Sequence, residues 1–341
     1  MKKIIAILMT SLLVFCLCAC GGGTAENKTY TAEDPLVFRF AHVEATDSIL
    51  NQAALKFEEQ VERESGGRIQ VEVYANGELG SIEQTIEAIR AGLVQMTAAP
   101  TSNMSTYDQR LELLDLPFLF DSKEEMDAAL NGEAGKIYEK WLEENGFYCA
   151  GYQYDGARGV SNSKHPVKTV KDMDGLKIRV MQSDIYIRTF QALGANPTPM
   201  SFTELYTGLQ QGTVDGQDNA PGLTYINKFY EVQDYYSYIG IVYCNSIMLA
   251  DKSYMENLPE DLFQIIQKGA DECLVDYQRT EAFEMEEEYL NLMEQGGTQI
   301  TRIEDKTEWR KAVEPVYEQC REEIGEEYVQ QILDAVQNQR V

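Results

Sequence analysis

Short β-branched runs alternate with amphipathic helices over the first hundred residues, and this order restricts the chain to few folds. The predicted strands are 36–43, 68–74 and 93–98, and the predicted helices between them are 47–64 and 81–92. Ala53, Phe57 and Val61 recur every four residues, which gives the first helix one apolar face. A strand–helix–strand–helix–strand order indicates a parallel sheet with right-handed crossovers. We therefore expect an α/β fold.

The rest of the chain continues with the same two kinds of element. The predicted elements are strands 147–153, 158–163, 177–181, 214–217 and 239–249 and helices 123–144, 183–193, 201–210 and 309–337. We expect 147–153 to lead into a second lobe and 239–249 to cross back. Residues 260–295 contain no proline and one glycine, Gly269. They predict one long helix of roughly 50 Å, with two helices broken near Gly269 as the alternative.

The N-terminus has the pattern of an export signal. Two lysines precede an apolar run, 4–18, that is too short for an ordinary membrane span. The run ends in Leu-Cys-Ala-Cys, which resembles a lipobox and predicts lipid attachment at Cys20; a plain secretory signal is the alternative. We assign 1–19 to a lipoprotein signal peptide and 20–35 to a tether. The protein is therefore expected outside the cytoplasm, anchored to the cell membrane.

Charge and motif content argue against several function classes. A net charge of −27 repels nucleic acid and anionic lipid surfaces, so an anionic ligand would need a local cluster of arginines. Four cysteines follow Cys20 without a Cys-x-x-Cys pair, so we expect no metal or other cofactor, and any disulfide pairing stays open. Catalytic motifs are absent from the sequence, so we expect no enzyme; a secreted enzyme is the remote alternative.

The stretch 174–219 contains the strongest indication of a binding site. It reads Gly-Leu-Lys-Ile-Arg-Val at 175–180, Gly-Ala-Asn-Pro-Thr-Pro-Met at 194–200, Glu-Leu-Tyr-Thr-Gly-Leu-Gln at 204–210 and Val-Asp-Gly-Gln-Asp-Asn at 214–219. The strand 177–181 places Arg179 near the carboxyl edge of a sheet, where open α/β sheets bind ligands. A guanidinium at that edge can hold a carboxylate through two parallel hydrogen bonds.

In this order and at these spacings, the motifs resemble the solute-binding proteins of TRAP transporters, the DctP type, from about residue 38 to the last helices. The resemblance implies a periplasmic-binding-protein-like fold of two lobes, each with a mainly parallel sheet flanked by helices, and a long helix spanning both lobes. It also implies delivery of ligand to small and large multispanning membrane subunits. The predicted lobes are 36–156 plus 245–284 (lobe I) and 157–244 plus 285–341 (lobe II).

The resemblance also implies roles for three residues. Arg179 would form the salt bridge to a ligand carboxylate, and Arg158 would be a second carboxylate-facing arginine, with a domain-surface arginine as the alternative. Asn219 would contact the ligand, although Asp218 stands where the family has glutamate.

The residues themselves suggest further contacts. Glu44 could accept hydrogen bonds from ligand hydroxyls, and Ser102 could donate one. Tyr154, Phe202 and Tyr243 are candidates for stacking on a sugar ring. Ordinary loop and packing roles are the alternative for all five.

Two arginines and an asparagine predict an organic acid as ligand. A six-carbon sugar acid such as a uronate is the first expectation and a C4-dicarboxylate the second. Relatives that bind sialic acid place a glutamate at the position of Pro100, which argues against sialic acid here. The alternative function is a sensor lipoprotein that presents its ligand-bound form to a signalling receptor.

Overall fold

Two β-sheets and the helices around them make up the protein in the computed structural model, which describes residues 29–339. The signal segment 1–19 and Cys20 lie outside the described residues, so their predicted roles stay predictions. Within 29–339, no helix is both long and apolar enough to cross a membrane.

Eleven strands and twelve α-helices are described. The strands are β1 (Leu36–Ala41), β2 (Ile69–Tyr74), β3 (Met96–Pro100), β4 (Phe147–Ala157), β5 (Gly159–Asn162), β6 (Lys177–Val180), β7 (Asn196–Pro199), β8 (Gly216–Asn219), β9 (Tyr235–Tyr238), β10 (Tyr243–Asp251) and β11 (Gln299–Arg302). The helices are α1 (Ile49–Ser65), α2 (Ile82–Arg90), α3 (Lys123–Leu130), α4 (Glu133–Glu144), α5 (Asp184–Ala192), α6 (Leu205–Gln210), α7 (Pro221–Ile226), α8 (Lys252–Glu256), α9 (Glu260–Gly269), α10 (Gln278–Gln295), α11 (Thr307–Cys320) and α12 (Glu326–Gln337).

The first sheet has the strand order β2-β1-β3-β10-β4 and the second has the order β11-β9-β5-β8-β6-β7. The predicted two-sheet α/β fold is thus confirmed. Each sheet is mixed rather than mainly parallel, because β10 runs antiparallel to β3 and β4, and β5 runs antiparallel to β8 and β9. The antiparallel pairs arise where the chain crosses between the sheets: β4 leads out of the first sheet and β10 returns to it.

The crossing strand β4 is longer than its partner β10 and accommodates the difference in two bulges. Cys244 pairs with Gly156 and Asn245 with Tyr154, so Asp155 is an extra residue. A second irregularity lies opposite Met248, beside Gly151. Gly151 and Gly156 have φ angles of 140° and 112°, which side-chain-bearing residues rarely adopt. Each glycine therefore permits a bulge, and the bulges bend β4 where it leaves the sheet.

Local signals fixed several helix ends. Ser48 caps α1 by accepting a hydrogen bond from the Asn51 backbone, and Ser183 caps α5 in the same way through Tyr186. The predicted helix 123–144 is wrong as a single element, because the chain leaves helical geometry at Gly132 and divides into α3 and α4.

The long helix is confirmed as one continuous helical run. α9 continues through a π-helical segment, Ala270–Tyr277, into α10 without a break. Gly269 keeps helical angles. A β-carbon at Gly269 would lie 2.8 Å from Val61 and 3.1 Å from Phe57 of α1. The glycine therefore serves close helix packing rather than a helix end.

The last helices pack on both halves of the protein. α11 packs against α5, whereas α12 packs against α3 and α4. The sequence assigns 285–341 to lobe II and the segment containing α3 and α4 to lobe I. Because α12 contacts the other lobe's helices, the exact lobe limits stay a prediction.

Candidate functional site

A cleft lies between the two sheets, at the carboxyl ends of β1, β3, β6 and β8. The space between its walls, including the part open to solvent, is about 620 Å³. One side, which we call the arginine wall, is formed by Arg158, Arg179 and Asn219. This location agrees with the general rule that open α/β sheets bind ligands beyond the carboxyl ends of their strands.

Arg179 is buried at the end of β6, with 3% of its surface exposed. Its Nε donates to the carbonyl oxygen of Met200 at 2.9 Å, which fixes the plane of the guanidinium. Its Nη1 has no hydrogen-bond partner, and it forms no salt bridge with any carboxylate among residues 29–339. Burial, helped by the nearby charge of Arg158, lowers its pKa to about 10. The guanidinium thus lacks the partner that a buried charge requires.

Arg158 is also buried but is fully engaged by the protein. Its Nε donates to Asp218 Oδ2 at 2.6 Å, and its Nη2 donates to the Asp218 carbonyl at 2.6 Å. Its guanidinium lies 5.2 Å from the centre of the Tyr186 ring. Burial opposes the charge, but Asp218, together with Tyr186 and Cys244, outweighs burial and holds the pKa of Arg158 above the ordinary arginine value. The alternative of a surface arginine is therefore wrong.

Asn219 ends β8, and its side chain is held in a fixed orientation. Its Nδ2 donates to Gln217 Oε1 at 2.5 Å, and Gln217 in turn donates to Ser161 at 2.8 Å. The hydroxyl of Tyr236 donates to the Asn219 carbonyl at 2.8 Å. This buried network holds the amide in the cleft lining, so Gln217 positions Asn219.

The opposite side of the cleft, which we call the acceptor wall, consists of His42, Glu44, Asn103 and Asp155. His42 follows β1, and its Nε2 lies 3.2 Å from Asn51 Oδ1. Asn51 donates its own amide to the Thr46 carbonyl, so its oxygen faces His42 and the His42 proton lies on Nε2. Burial lowers the pKa of His42 to about 4. His42 is therefore neutral near pH 7, and its unpartnered Nδ1 is an acceptor.

The two carboxyl groups of the acceptor wall have raised pKa values. Burial, with the neighbouring Asp155, raises the pKa of Glu44 to about 8. Burial raises the pKa of Asp155 to about 6, although Ser246 donates to its Oδ2 at 2.6 Å. The β4 bulge places Asp155 in the lining.

Asn103 completes the wall from the 3₁₀ turn after β3. Its Nδ2 donates to Glu83 Oε1 at 2.7 Å, and its buried Oδ1 has no partner. Glu83 also accepts from Ser81 at 2.6 Å.

Five of the eight ligand-contacting residues predicted from the sequence line the cleft. These are Arg158, Arg179, Asn219, Glu44 and Phe202.

The other three do not line it. The Ser102 hydroxyl is buried against Met181 Sδ at 3.3 Å, and Tyr154 donates to Glu286 at 2.9 Å. Tyr243 donates to the carbonyl of Asp121 at 3.2 Å. The structure therefore gives their predicted ligand contacts no support.

Metal ligands do not cluster in the part of the chain that the structure describes. The cysteines that follow Cys20 are all free thiols: Cys149, Cys244, Cys273 and Cys320.

Comparison with known proteins gives consistent results for sequence and structure. The sequence model of the bacterial extracellular solute-binding protein family 7, DctP, matches residues 40–323. The C4-dicarboxylate-binding protein DctB of Bacillus subtilis is 32% identical over 305 residues, which are 89% of this chain and 87% of DctB. The 2,3-diketo-L-gulonate-binding periplasmic protein YiaO of Escherichia coli is 30% identical over 275 residues, covering 81% and 84% of the two chains.

Solved structures of similar shape contain carboxylate ligands. The sugar acid binding protein DctPAm of Advenella mimigardefordensis, in complex with galactonate, has a TM-score of 0.86 and 33% identity over 89% of this chain and 99% of that one. A TRAP periplasmic solute-binding protein of Sulfurospirillum deleyianum with bound succinate has a TM-score of 0.82 and 28% identity, covering 87% and 98%.

Proposed function

The chain belongs to the DctP family of TRAP solute-binding proteins, and from this premise we propose that it captures an organic acid through Arg179 in the cleft between its sheets. The family is one of binding proteins, whose members named above bind carboxylates or sugar acids. The carrier would be a TRAP transporter with a small and a large membrane subunit.

One observation carries the proposal: the guanidinium of Arg179 is buried, oriented by Met200 and unpaired on Nη1. A buried charge without a partner is unfavourable, so the site is suited to a ligand that supplies the missing carboxylate. The Asn219 amide, which Gln217 holds in the same lining, would add a polar contact. Arg158 supports the wall but is already paired with Asp218.

A sugar acid such as a uronate is the favoured ligand and a C4-dicarboxylate the second candidate. Support for the first comes from similar structures that hold galactonate and β-D-galacturonate, and for the second from those that hold succinate. Phe202 lies in the lining, where an aromatic face can pack on a sugar ring.

We further propose that the protein is exported and tethered to the outer face of the cell membrane through a lipid on Cys20. The support is the apolar run 4–18 and the Leu-Cys-Ala-Cys sequence that ends it. Metabolic labelling with a radioactive fatty acid, compared between the wild type and Cys20→Ser, tests this point.

A melting-temperature screen of sugar acids, dicarboxylates and keto acids tests the capture of an acid. A true ligand at a hundredfold excess over its Kd stabilises the protein by about 2.7 kcal/mol. Replacing Arg179 by alanine should abolish that response. Arg302→Ala, which removes an exposed arginine paired with Glu287, should leave the response unchanged. A screen in which no carboxylate raises the melting temperature, while a neutral sugar or peptide does, would refute the proposal.

A further inference from the structure

The acceptor wall has a composition that restricts which acids can occupy the cleft. Its donor groups are already used inside the protein: His42 Nε2 faces Asn51, and the Ser246 hydroxyl donates to Asp155. Asn103 likewise donates to Glu83. What remains for a ligand is predominantly hydrogen-bond acceptors, namely His42 Nδ1, Asn103 Oδ1 and the Asp155 carboxylate. Glu44 is the exception, because its raised pKa keeps a proton on its carboxyl group near pH 7.

Two of those acceptors are buried and unpartnered. His42 is 3% exposed and Asn103 is 9% exposed, and neither His42 Nδ1 nor Asn103 Oδ1 has a hydrogen-bond partner. Burying an acceptor without a partner costs about 1–3 kcal/mol. Binding is therefore more favourable if the ligand donates hydrogen bonds to these two acceptors.

Positive charge is confined to the other side of the cleft. Among the described residues that line it, Arg158 and Arg179 are the only cations, since His42 is neutral. Asp218 neutralises Arg158 by a direct ion pair. Arg179 is thus left to balance one ligand carboxylate, and a second would face the Asp155 carboxylate, whereas the neighbouring Glu44, with its pKa raised to about 8, is protonated near pH 7.

Resting on the proposed function, we propose that the acceptor wall is a subsite for hydrogen-bond donors, which takes the terminal hydroxyl or ammonium of a monocarboxylate and rejects a second carboxylate. Like charges brought together at a binding surface cost several kcal/mol. Each 1.4 kcal/mol is a tenfold change in Kd. We therefore expect a diacid to bind at least about tenfold more weakly than the matching monoacid.

Ligand series that differ only at the terminal carbon test this inference by isothermal titration calorimetry. One series is galactonate, galactarate and 6-amino-6-deoxygalactonate; a shorter one is 4-hydroxybutyrate, succinate and 4-aminobutyrate. In each series the diacid should be the weakest ligand. The tighter of the other two identifies whether the donor is a hydroxyl or an ammonium.

Variants show whether the wall itself is responsible. Asp155→Asn should narrow the ratio between the Kd of the diacid and the Kd of the monoacid, because an amide can donate a hydrogen bond to the second carboxylate. The exposed Asp174, replaced by asparagine, is the matched control and should leave the ratio unchanged. An unchanged ratio in Asp155→Asn would contradict the inference.

The possible failures are distinguishable. If a diacid binds as tightly as its monoacid, and loses binding in Arg179→Ala, carboxylate capture stands and the donor subsite fails. If no acid of either series binds, and no acid of the melting-temperature screen does, the proposed function and the subsite fail together.

Discussion

Replacing Arg179 by methionine should stabilise the empty protein while it removes ligand binding. The pKa of Arg179 falls from the ordinary arginine value to about 10, which corresponds to about 3 kcal/mol of unfavourable free energy for the charged form in the folded state. Arginine stays protonated in the folded and unfolded states near neutral pH, so this penalty is fully present below about pH 10. It vanishes once the pH also exceeds the ordinary arginine pKa and both states have lost the proton.

The methionine variant loses one favourable contact. The Nε hydrogen bond to the Met200 carbonyl contributes about 1 kcal/mol. Methionine fills a similar volume with an apolar chain, so we expect the free energy of unfolding to rise by about 1–3 kcal/mol. Binding of a carboxylate should weaken by about 3–5 kcal/mol, more than a hundredfold in Kd.

Urea denaturation without ligand and calorimetric titration with the acid found by screening measure the two effects. Arg302→Met is the control, because its exposed pair with Glu287 should change stability by less than about 1 kcal/mol. A decrease of more than about 1 kcal/mol in the free energy of unfolding of Arg179→Met would refute the reasoning, since it would mean that the protein itself supplies the partners that the buried guanidinium needs.

Three further predictions concern buried polar groups. Arg158→Met leaves the Asp218 carboxylate buried and unpaired, so urea denaturation should show a loss of about 3–5 kcal/mol in the free energy of unfolding. The double variant Arg158→Met with Asp218→Asn should recover most of that loss. Losses that simply add in the double variant would contradict this prediction. His42→Gln should flatten the pH dependence of stability. The pKa of His42 is about 4 in the folded state and 6.5 in the unfolded state, so the wild type loses about 2 kcal/mol of unfolding free energy between pH 7 and pH 5, where only the unfolded state takes up the proton. Equal slopes of unfolding free energy against pH in the two proteins would exclude this role. Glu286→Ala removes the acceptor of the Tyr154 hydroxyl and of the Ala157 backbone N–H in β4. Melting curves should show a loss of about 2–4 kcal/mol in the free energy of unfolding. An unchanged free energy would contradict this prediction and show that solvent replaces the carboxylate.

Elements governed by local chemistry were predictable from the sequence. The helix α1 has a cap at Ser48 and an apolar face with a period of four, and both signals lie within one segment. The split between α3 and α4 at Gly132 was missed, because the apolar periodicity continues across it. β7 was also missed, since two of its four residues are prolines; it is tolerated at the edge of the second sheet.

The two walls of the cleft differed in how far they could be predicted. The arginine wall follows motifs, so Arg179 and Asn219 were found at strand ends. Asp155 was missed because its position depends on a bulge, and Asn103 because its neighbours come from separate elements. Tyr154 was a reasonable stacking candidate by residue type, but its partner Glu286 is distant in sequence and occupies its hydroxyl.

The bulge at Asp155 in β4 has a consequence for sequence alignments of such proteins. Side chains alternate between the faces of a regular strand, so one extra residue reverses the facing of everything beyond it. Deleting a single residue next to Asp155 would restore strict alternation and turn the Asp155 carboxylate out of the lining, even if every other residue of β4 were kept. The length of β4 therefore determines whether Asp155 lines the cleft, so a one-residue gap at this place in an alignment would change the lining more than many substitutions.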